Sequence, residues 1–537
     1  MLVLLLRPAS APAQAAANAA LDAAPAAAPE GEAAEEESSA ATAASMAGPP
    51  AGATLAIRDA WLASRVDAAL ASRPELASAR VGIAISDAQS GRELVARRGD
   101  DAFNVASNAK LVTAAAALTK LGPEYRFRTA LYADERKPPG TPGARPPRPG
   151  ILAGDLVLRG GGDPLLDTAA LAEMCDQLAR SGLKTIEGSL VVDATFFDEV
   201  GLPPAFAQKL EDAAFRAPVS ATALNRDAVL LHVWPGDAAG APARAEADPA
   251  SDYIVIVNEA VTVGEGRTSI RIAARGLPEA DGQPARTELR VRGTIRADAE
   301  AQTARKRVEH PERYAGETLR ALLAARGIRV TRKPLLYRPA SLTARPLAEH
   351  LSEPLGVIVR ELGKHSDNFV AETVLKTLAA EASGTPGTWA NGVAAAHAWL
   401  EGVAMLKPGG YRLDNGSGLY DASRFSPRQM VAVLRAAWRD FRIGPDYVAA
   451  LALAGADGTL ARRMVGGPAE RLVRAKTGTL KDVICMSGFA GGAGRPPVAF
   501  AVLVNDVPAG AGKKARALGD EIATAIVLWS SAAPEGQ

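Results

Sequence analysis

Cysteine, histidine and aromatic side chains are all scarce in this chain of 537 residues, and each scarcity closes a class of function. Two cysteines, Cys175 and Cys485, are too few for a disulfide scaffold or a zinc ribbon. Cys175 falls in a helix-like stretch and Cys485 in a strand-like one, so both are expected as buried free thiols. The five histidines (His232, His310, His350, His365, His397) lack metal-ligand spacing, and no His-Glu-x-x-His occurs. No metal and no cofactor is therefore expected. Aromatics at 5% and a net charge of +1 leave neither stacking platforms nor an electrostatic case for nucleic acid. Beyond the N-terminus there is no apolar run of about 18 residues, which excludes a membrane-spanning helix.

What remains is a long chain with 48% hydrophobic residues, ample for several cores. Its first residues, Met1 to Leu6 followed by Ala13-Gln14-Ala15, resemble the tail of a secretory signal, so 1–15 is expected as a signal remnant. Residues 16–52 are mostly Ala with Glu, Pro and Ser. They lack the large apolar side chains that offset ordering entropy and read as a disordered export linker. The expected location is periplasmic or otherwise exported.

Periodicity then divides the chain. A helix over 59–72, a hairpin over 81–97 around Ser90-Gly91 and an Ala- and Leu-rich helix over 106–121 come first. The Pro- and Gly-rich loop 137–150 marks a boundary. Strand–helix–strand signals follow, then β-like segments at 228–234, 253–258, 268–274 and 287–295, and a helix over 314–326. Helices return at 355–362, 369–381, 389–403 and 427–439. Strands at 471–476, 483–488 and 498–505 and a helix over 513–528 close the chain. A sheet thus begins in the N-terminal third and resumes at the C-terminus. The expectation is a multi-domain α/β protein: one domain (53–130 and 346–537) split by a second (131–226 and 298–345), itself holding a nested β-rich third (227–297).

Three short motifs carry the chemistry. Ser107-Asn108-Ala109-Lys110 opens a helix, and residues three apart share a helix face, so hydroxyl and amine can meet. A serine is a weak nucleophile without an adjacent base, and a lysine serves as one only when burial and nearby positive charge lower its pKa. Ser366-Asp367-Asn368 precedes a helix, and Lys476-Thr477-Gly478-Thr479 ends an apparent strand. Each has an ordinary reading alone: surface helix, N-cap, strand running into a Gly turn. Ser181-Gly182-Leu183-Lys184 matches the first pattern by chance. Together, in this order and context, the three form the signature of serine penicillin-recognising enzymes.

On these residues the chain resembles the low-molecular-mass class C penicillin-binding proteins, the D-alanyl-D-alanine carboxypeptidase/endopeptidase family. Further matches are Gly160-Gly161-Gly162-Asp163-Pro164, Lys364-His365 before the second motif, 414–419 (Asp-Asn-Gly-Ser-Gly-Leu) and 455–460 (Gly-Ala-Asp-Gly-Thr-Leu). The resemblance implies a β-lactamase/transpeptidase-like fold, an antiparallel sheet flanked by helices. It implies substrates that are peptidoglycan peptides ending in D-Ala-D-Ala, with β-lactam antibiotics as covalent inhibitors. Ser107 would be the nucleophile and Lys110 its base; Ser366 would relay a proton toward the leaving amine, with Lys476 tuning that relay electrostatically; Asn368 would hold the substrate amide and help position Lys110. Thr477, Gly478 and Thr479 would line the binding strand, the threonine hydroxyls gripping the substrate carboxylate. The family follows Gly-Ser-Gly-Leu with Ser-Arg; here Tyr420-Asp421 stand instead, and Arg424 is the candidate substitute. Asp193, with Phe196 and Phe197, is the candidate insert-domain pocket, against the ordinary reading of a strand end with core aromatics.

Other classes stay in view. A β-lactamase shares the motifs, but the interval from Ser107 to Ser366 is far longer than it allows. An inactive peptidoglycan-binding scaffold would not need Ser107, Lys110 and Lys476 intact. A Ser-His-Asp hydrolase wants Gly-x-Ser-x-Gly, and 415–418 lacks the first glycine. The Gly160–Gly162 run lacks the Gly-Lys-Ser/Thr of a phosphate loop.

Overall fold

The near-continuous apolar runs Val483–Ala490 and Val498–Asn505 dictate a sheet buried on both faces. In the computed structural model, which describes residues 46–135, 148–209, 211–280, 282–492 and 495–532, that sheet joins the two ends of the chain. The expected signal remnant, the linker as far as residue 45 and the Pro/Gly loop over 137–147 lie outside the described residues.

Numbering strands of three or more residues and helices of ten or more, the first elements are α1 (Leu55–Ala71), β1 (Arg80–Asp87), β2 (Glu93–Arg97) and α2 (Lys110–Leu121). The insert carries β3 (Arg128–Asp134), β4 (Asp155–Arg159), α3 (Thr168–Arg180) and β5 (Leu190–Asp193). Next come β6 (Ala228–Trp234), β7 (Arg244–Asp248), β8 (Ile254–Val263), β9 (Ser269–Leu277), β10 (Arg286–Arg296) and β11 (Gln302–Arg307). The insert ends with α4 (Pro311–Ala325), β12 (Leu335–Tyr337) and β13 (Arg345–Leu351). Helices α5 (Leu355–Lys364), α6 (Asn368–Ser383), α7 (Trp389–Gly402) and α8 (Pro427–Arg439) follow. The chain closes with β14 (Val473–Leu480), β15 (Val483–Ala490), β16 (Val498–Asn505) and α9 (Gly512–Ser531).

The central sheet runs β14-β15-β16-β1-β2, antiparallel throughout, with the short strand Ala452–Leu453 on the β14 edge. Successive side chains of a strand point to opposite faces. Ile83 and Ile85 of β1, with Phe500, Val502 and Val504 of β16, meet α1 and α9 in one core. Ala84, Ala501 and Leu503 turn the other way, onto a larger core built from α2, α5, α6 and α8. This is the expected α/β architecture, an antiparallel sheet between helical layers.

Inside the insert, β12-β5-β4-β3-β13 form a mixed sheet, and two three-stranded sheets (β11-β6-β7 and β8-β10-β9) make up the nested module. Strand pairing crosses the limits drawn from composition. β3 begins at Arg128 and β13 ends at Leu351, so the insert's sheet runs from 128 to 351, and β11 extends the nested module's pairing to Arg307. Sequence reading missed these strands because their signals are weak: β13 holds Pro346 beside a register shift on an edge, and β11 (Gln-Thr-Ala-Arg-Lys-Arg) has no large apolar side chain.

Insert and helical layer are joined by a buried cation. Lys376 of α6 is wholly buried between the rings of Phe197 and Trp389. It donates to Asp198 Oδ1 at 2.5 Å and to the Val200 carbonyl at 3.0 Å. Burial pushes its pKa down while Asp198 opposes the shift. Removing one member of such a pair leaves the other uncompensated. Lys376→Met should therefore cost about 3 kcal/mol in denaturant unfolding, and Lys376→Met with Asp198→Asn should recover part of that loss.

Candidate active site

The segment ahead of α2 is shaped by what surrounds it. Asn104 is the anchor: its N–H donates to Asn505 Oδ1 at 2.8 Å, and Asn505 Nδ2 returns a bond to its carbonyl at 2.9 Å. Asn104 Oδ1 then accepts the Ala106 N–H at 2.9 Å, holding Ala106 at φ 47°. A non-glycine residue in the left-handed region persists only where its surroundings over-determine it. Residues Ala106–Ala109 form one 3-10 turn and the α-helix starts at Lys110, a correction to the single helix expected over 106–121. The tighter turn exposes Ser107 in part while Lys110 is completely buried.

Lys110 Nζ donates to Ser107 Oγ at 3.0 Å, to Asn368 Oδ1 at 2.7 Å and to the Ser417 carbonyl at 2.9 Å. Asn368 is the first residue of α6, whose N-cap Asp367 accepts the Val370 N–H at 3.1 Å. Ser366 stands at φ 60°, and its Oγ accepts Lys476 Nζ at 2.8 Å. Lys476 also donates to its neighbour's carbonyl, Thr477 O, at 2.6 Å. The first two motifs thus meet at Lys110, and the second meets the third through Ser366.

Lys476-Thr477-Gly478-Thr479 lies inside β14, not at its end as expected; the strand continues to Leu480, antiparallel to β15. On its other side β14 pairs with Ala452–Leu453 only through Arg474 and Ala475, so this stretch is an open edge. A Cβ on Gly478 would stand 3.0 Å from the Val105 carbonyl and 3.2 Å from the Ser107 nitrogen, so only glycine lets strand and turn approach without displacement. Thr477 Oγ1 donates to Thr459 Oγ1 at 2.8 Å, which gives the 455–460 segment a structural place.

Two further predicted residues are placed elsewhere. Asp193, at the end of β5, is buried and accepts bonds from Thr195 N (3.1 Å), Thr195 Oγ1 (2.6 Å) and Ala340 N (2.9 Å). These bonds tie down the insert's own loops; they do not bring Asp193 to the Ser107 cluster. Phe197 packs against Lys376, as a core aromatic does. Arg424 donates to Ser423 O at 3.0 Å and pairs with Asp421. Tyr420 turns its ring edge-on to Phe206 of the insert, 5.7 Å between centroids.

Sequence reasoning missed several supports. Glu372 is buried on α6 and accepts the N–H groups of Gly416 and Ser417 at 3.0 and 2.9 Å. Arg226 of the insert pairs with Asp367 and Glu361, each at 3.0 Å, reaching the second motif from outside. Asn108 donates to Ser487 Oγ at 3.0 Å and fixes the turn to β15. Neither Glu372 nor Arg226 carried a local signal in the sequence, where a glutamate on a helix and an arginine in a loop read as ordinary surface.

Residues 62–526 match the model of the D-Ala-D-Ala carboxypeptidase 3 (S13) family. The chain belongs to that family. A D-alanyl-D-alanine carboxypeptidase from an Actinomadura species is 32% identical over 509 residues, 90% of this chain and 89% of that protein. The D-alanyl-D-alanine carboxypeptidase DacB of Haemophilus influenzae is 26% identical over 75% of this chain and 81% of its own. Among solved structures, penicillin binding protein 4 of Haemophilus influenzae superposes with a TM-score of 0.70 at 22% identity, covering 86% of this chain and 97% of that one. It therefore shares the fold, insert included.

Gly418 makes this geometry testable. It sits at φ 73°, where a Cβ would fall 2.0 Å from the Ala106 carbonyl. Gly418→Ala should push the Ala106–Ser107 turn away from Lys110. The expected outcome is a folded protein by circular dichroism whose covalent labelling by a fluorescent penicillin is slowed about a hundredfold, the scale of a 1 Å misplacement.

Proposed function

We propose that the serine D-Ala-D-Ala carboxypeptidase/endopeptidase reaction of this family runs here through Ser107. The chain is a serine-type peptidase of the D-Ala-D-Ala carboxypeptidase class. The observation that carries the assignment of roles is the Ser107–Lys110–Asn368 cluster joined across Ser366 to Lys476.

In the neutral amine, two hydrogens of Lys110 are held by Asn368 Oδ1 and the Ser417 carbonyl, and the lone pair is left for the Ser107 proton. Ser107 Oγ attacks the carbonyl of the D-Ala-D-Ala bond as Lys110 takes that proton. Backbone N–H groups of Ser107 and Thr479 receive the developing oxyanion, each such donor contributing about 3 kcal/mol to lowering the barrier. The proton taken by Lys110 passes by way of Ser366, beside Lys476, to the leaving nitrogen, which returns Lys110 to the neutral amine; the C–N bond breaks and D-alanine departs. Water then adds to the ester carbonyl, giving its proton to Lys110, which hands it to Ser107 Oγ as the ester C–O bond breaks; the acid is released and Ser107 restored. The open edge of β14 offers backbone groups for the peptide, and Lys476, Thr477 and Thr479 face its carboxylate with a cation and hydroxyls, the pairing a carboxylate favours. A β-lactam enters by the same attack and remains as the ester.

Asp193 and Arg424 are proposed only as contributors to side-chain selectivity, since both are engaged within the protein. The domain division (53–130 with 346–537, 131–226 with 298–345, 227–297) is proposed with the strand limits above. No helix among the described residues is long and apolar enough to cross a membrane. Export to the periplasm or cell surface is the location proposed for an enzyme whose substrate is the wall.

Intact mass after incubation with benzylpenicillin is the direct test. The expected outcome is one stoichiometric adduct on the native protein and none on Ser107→Ala, with D-alanine release from a D-Ala-D-Ala peptide lost in the same variant. Rapid turnover of penicillin without a lasting adduct would indicate a β-lactamase; no adduct and no turnover in folded protein would indicate a binding scaffold.

A further inference from the structure

Glu372 is a carboxylate in the interior, 1% exposed, at a place where no charge is needed to fill space. Burying such a group is costly unless it is hydrogen-bonded. Two backbone groups are among its partners: Oε1 accepts the Ser417 N–H at 2.9 Å and Oε2 the Gly416 N–H at 3.0 Å. Thr113 Oγ1, one turn beyond Lys110 on α2, donates to the Gly416 carbonyl at 2.7 Å. The peptide group between Gly416 and Ser417 is thus fixed at both ends, its N–H by α6 and its carbonyl by α2. The next carbonyl along, Ser417 O, is the one that accepts Lys110 Nζ at 2.9 Å.

Residue 372 lies four positions beyond Asn368, so both side chains leave the same face of α6. One holds a hydrogen of Lys110 directly; the other holds the loop that binds a second. We propose that Glu372 is a positioning residue for acylation: its carboxylate sets the Gly416–Ser417 peptide so that Ser417 O fixes one Lys110 hydrogen and the amine's lone pair is directed at Ser107 Oγ. This rests on the roles given above to Ser107 and Lys110. An anion accepting the Ser417 N–H also polarises the adjoining peptides, since hydrogen bonds in a chain strengthen one another. Burial pushes the Glu372 carboxyl up, while the Ser417 side chain, the two N–H groups and Lys110 oppose that shift, consistent with a group held in place by what it binds.

Rapid-mixing acylation by benzylpenicillin separates noncovalent affinity from the acylation rate constant. Glu372→Gln keeps size and shape but presents an NH2 group where one backbone N–H needs an acceptor. The expected result is an acylation rate constant reduced at least ~tenfold, affinity within about twofold, and a final adduct stoichiometry of one. A merely structural role would lower the stoichiometry and leave the rate constant of the remaining active protein unchanged; that outcome overturns the inference. Where Glu372→Gln fails to fold, Thr113→Val removes the matching bond at the Gly416 carbonyl with little change of shape. It should slow acylation in the same way, and a native rate constant in that variant overturns the inference. No adduct on the native protein would overturn the Ser107 reading and this inference together, an outcome distinct from a native rate in the variants.

Discussion

A single buried lysine amine organises the reaction centre. Lys110 is out of contact with solvent and finds acceptors from three stretches far apart in sequence: the 3-10 turn at Ser107, the start of α6 at Asn368 and the loop at Ser417. A desolvated amine tolerates no missing partner, because each unmade bond would cost the desolvation of that polar group. Each stretch is therefore held by its own supports. Asn104 and Asn505 lock the turn, Asp367 caps the helix, and Glu372 grips the loop.

The second lysine works under a different constraint. Lys476 sits mid-strand, where sheet pairing fixes the backbone, and its bond to Ser366 reaches a residue held in the left-handed region. The next residue, Asp367, is both a helix cap and the partner of Arg226. Arg226 comes from the insert, in a run of three residues at positive φ. A domain that supplies no group to the Ser107–Lys110 cluster thus presses on the motif that completes it.

Much of this was legible in the sequence, for physical reasons that also explain the misses. Elements with strong periodicity and flanking breakers were placed closely: β6 and β16 at their ends, α8 between its Ser-Pro start and Arg439. The three motifs were identified because their spacing is local and their residue types are chemically unusual together. Glu372, Arg226, Asn104 and Ser417 escaped because their roles exist only across long sequence separations, and a glutamate on a helix or an asparagine before a turn reads as ordinary surface. The 3-10 turn escaped because Ala-rich sequence favours helix locally, and only the Asn104 bond and the crowding of Gly418 and Gly478 override that preference. Asp193, a carboxylate at a strand end, is a candidate from the resemblance alone, and the folded chain uses it to fasten its own loops.

The pairing of β1 with β16 has a consequence for how the molecule is made. These strands are central neighbours in one sheet, yet one lies near the start of the chain and the other near its end. Such long-range contacts raise the mean sequence separation that slows folding. During synthesis the β1–β2 hairpin must wait, with β1's inner edge unpaired, until nearly the whole chain has emerged. The insert has no such debt: its first and last strands, β3 and β13, pair with each other, and its hydrophobic core is contiguous. It can close as soon as Leu351 is available, while the two halves of the peptidase sheet are still apart. The order of assembly is thus inverted relative to chemistry, with the spacer structured first and the nucleophile's scaffold last. An export pathway that delivers an unfolded chain would leave the protein without acylating activity until the final strands have crossed.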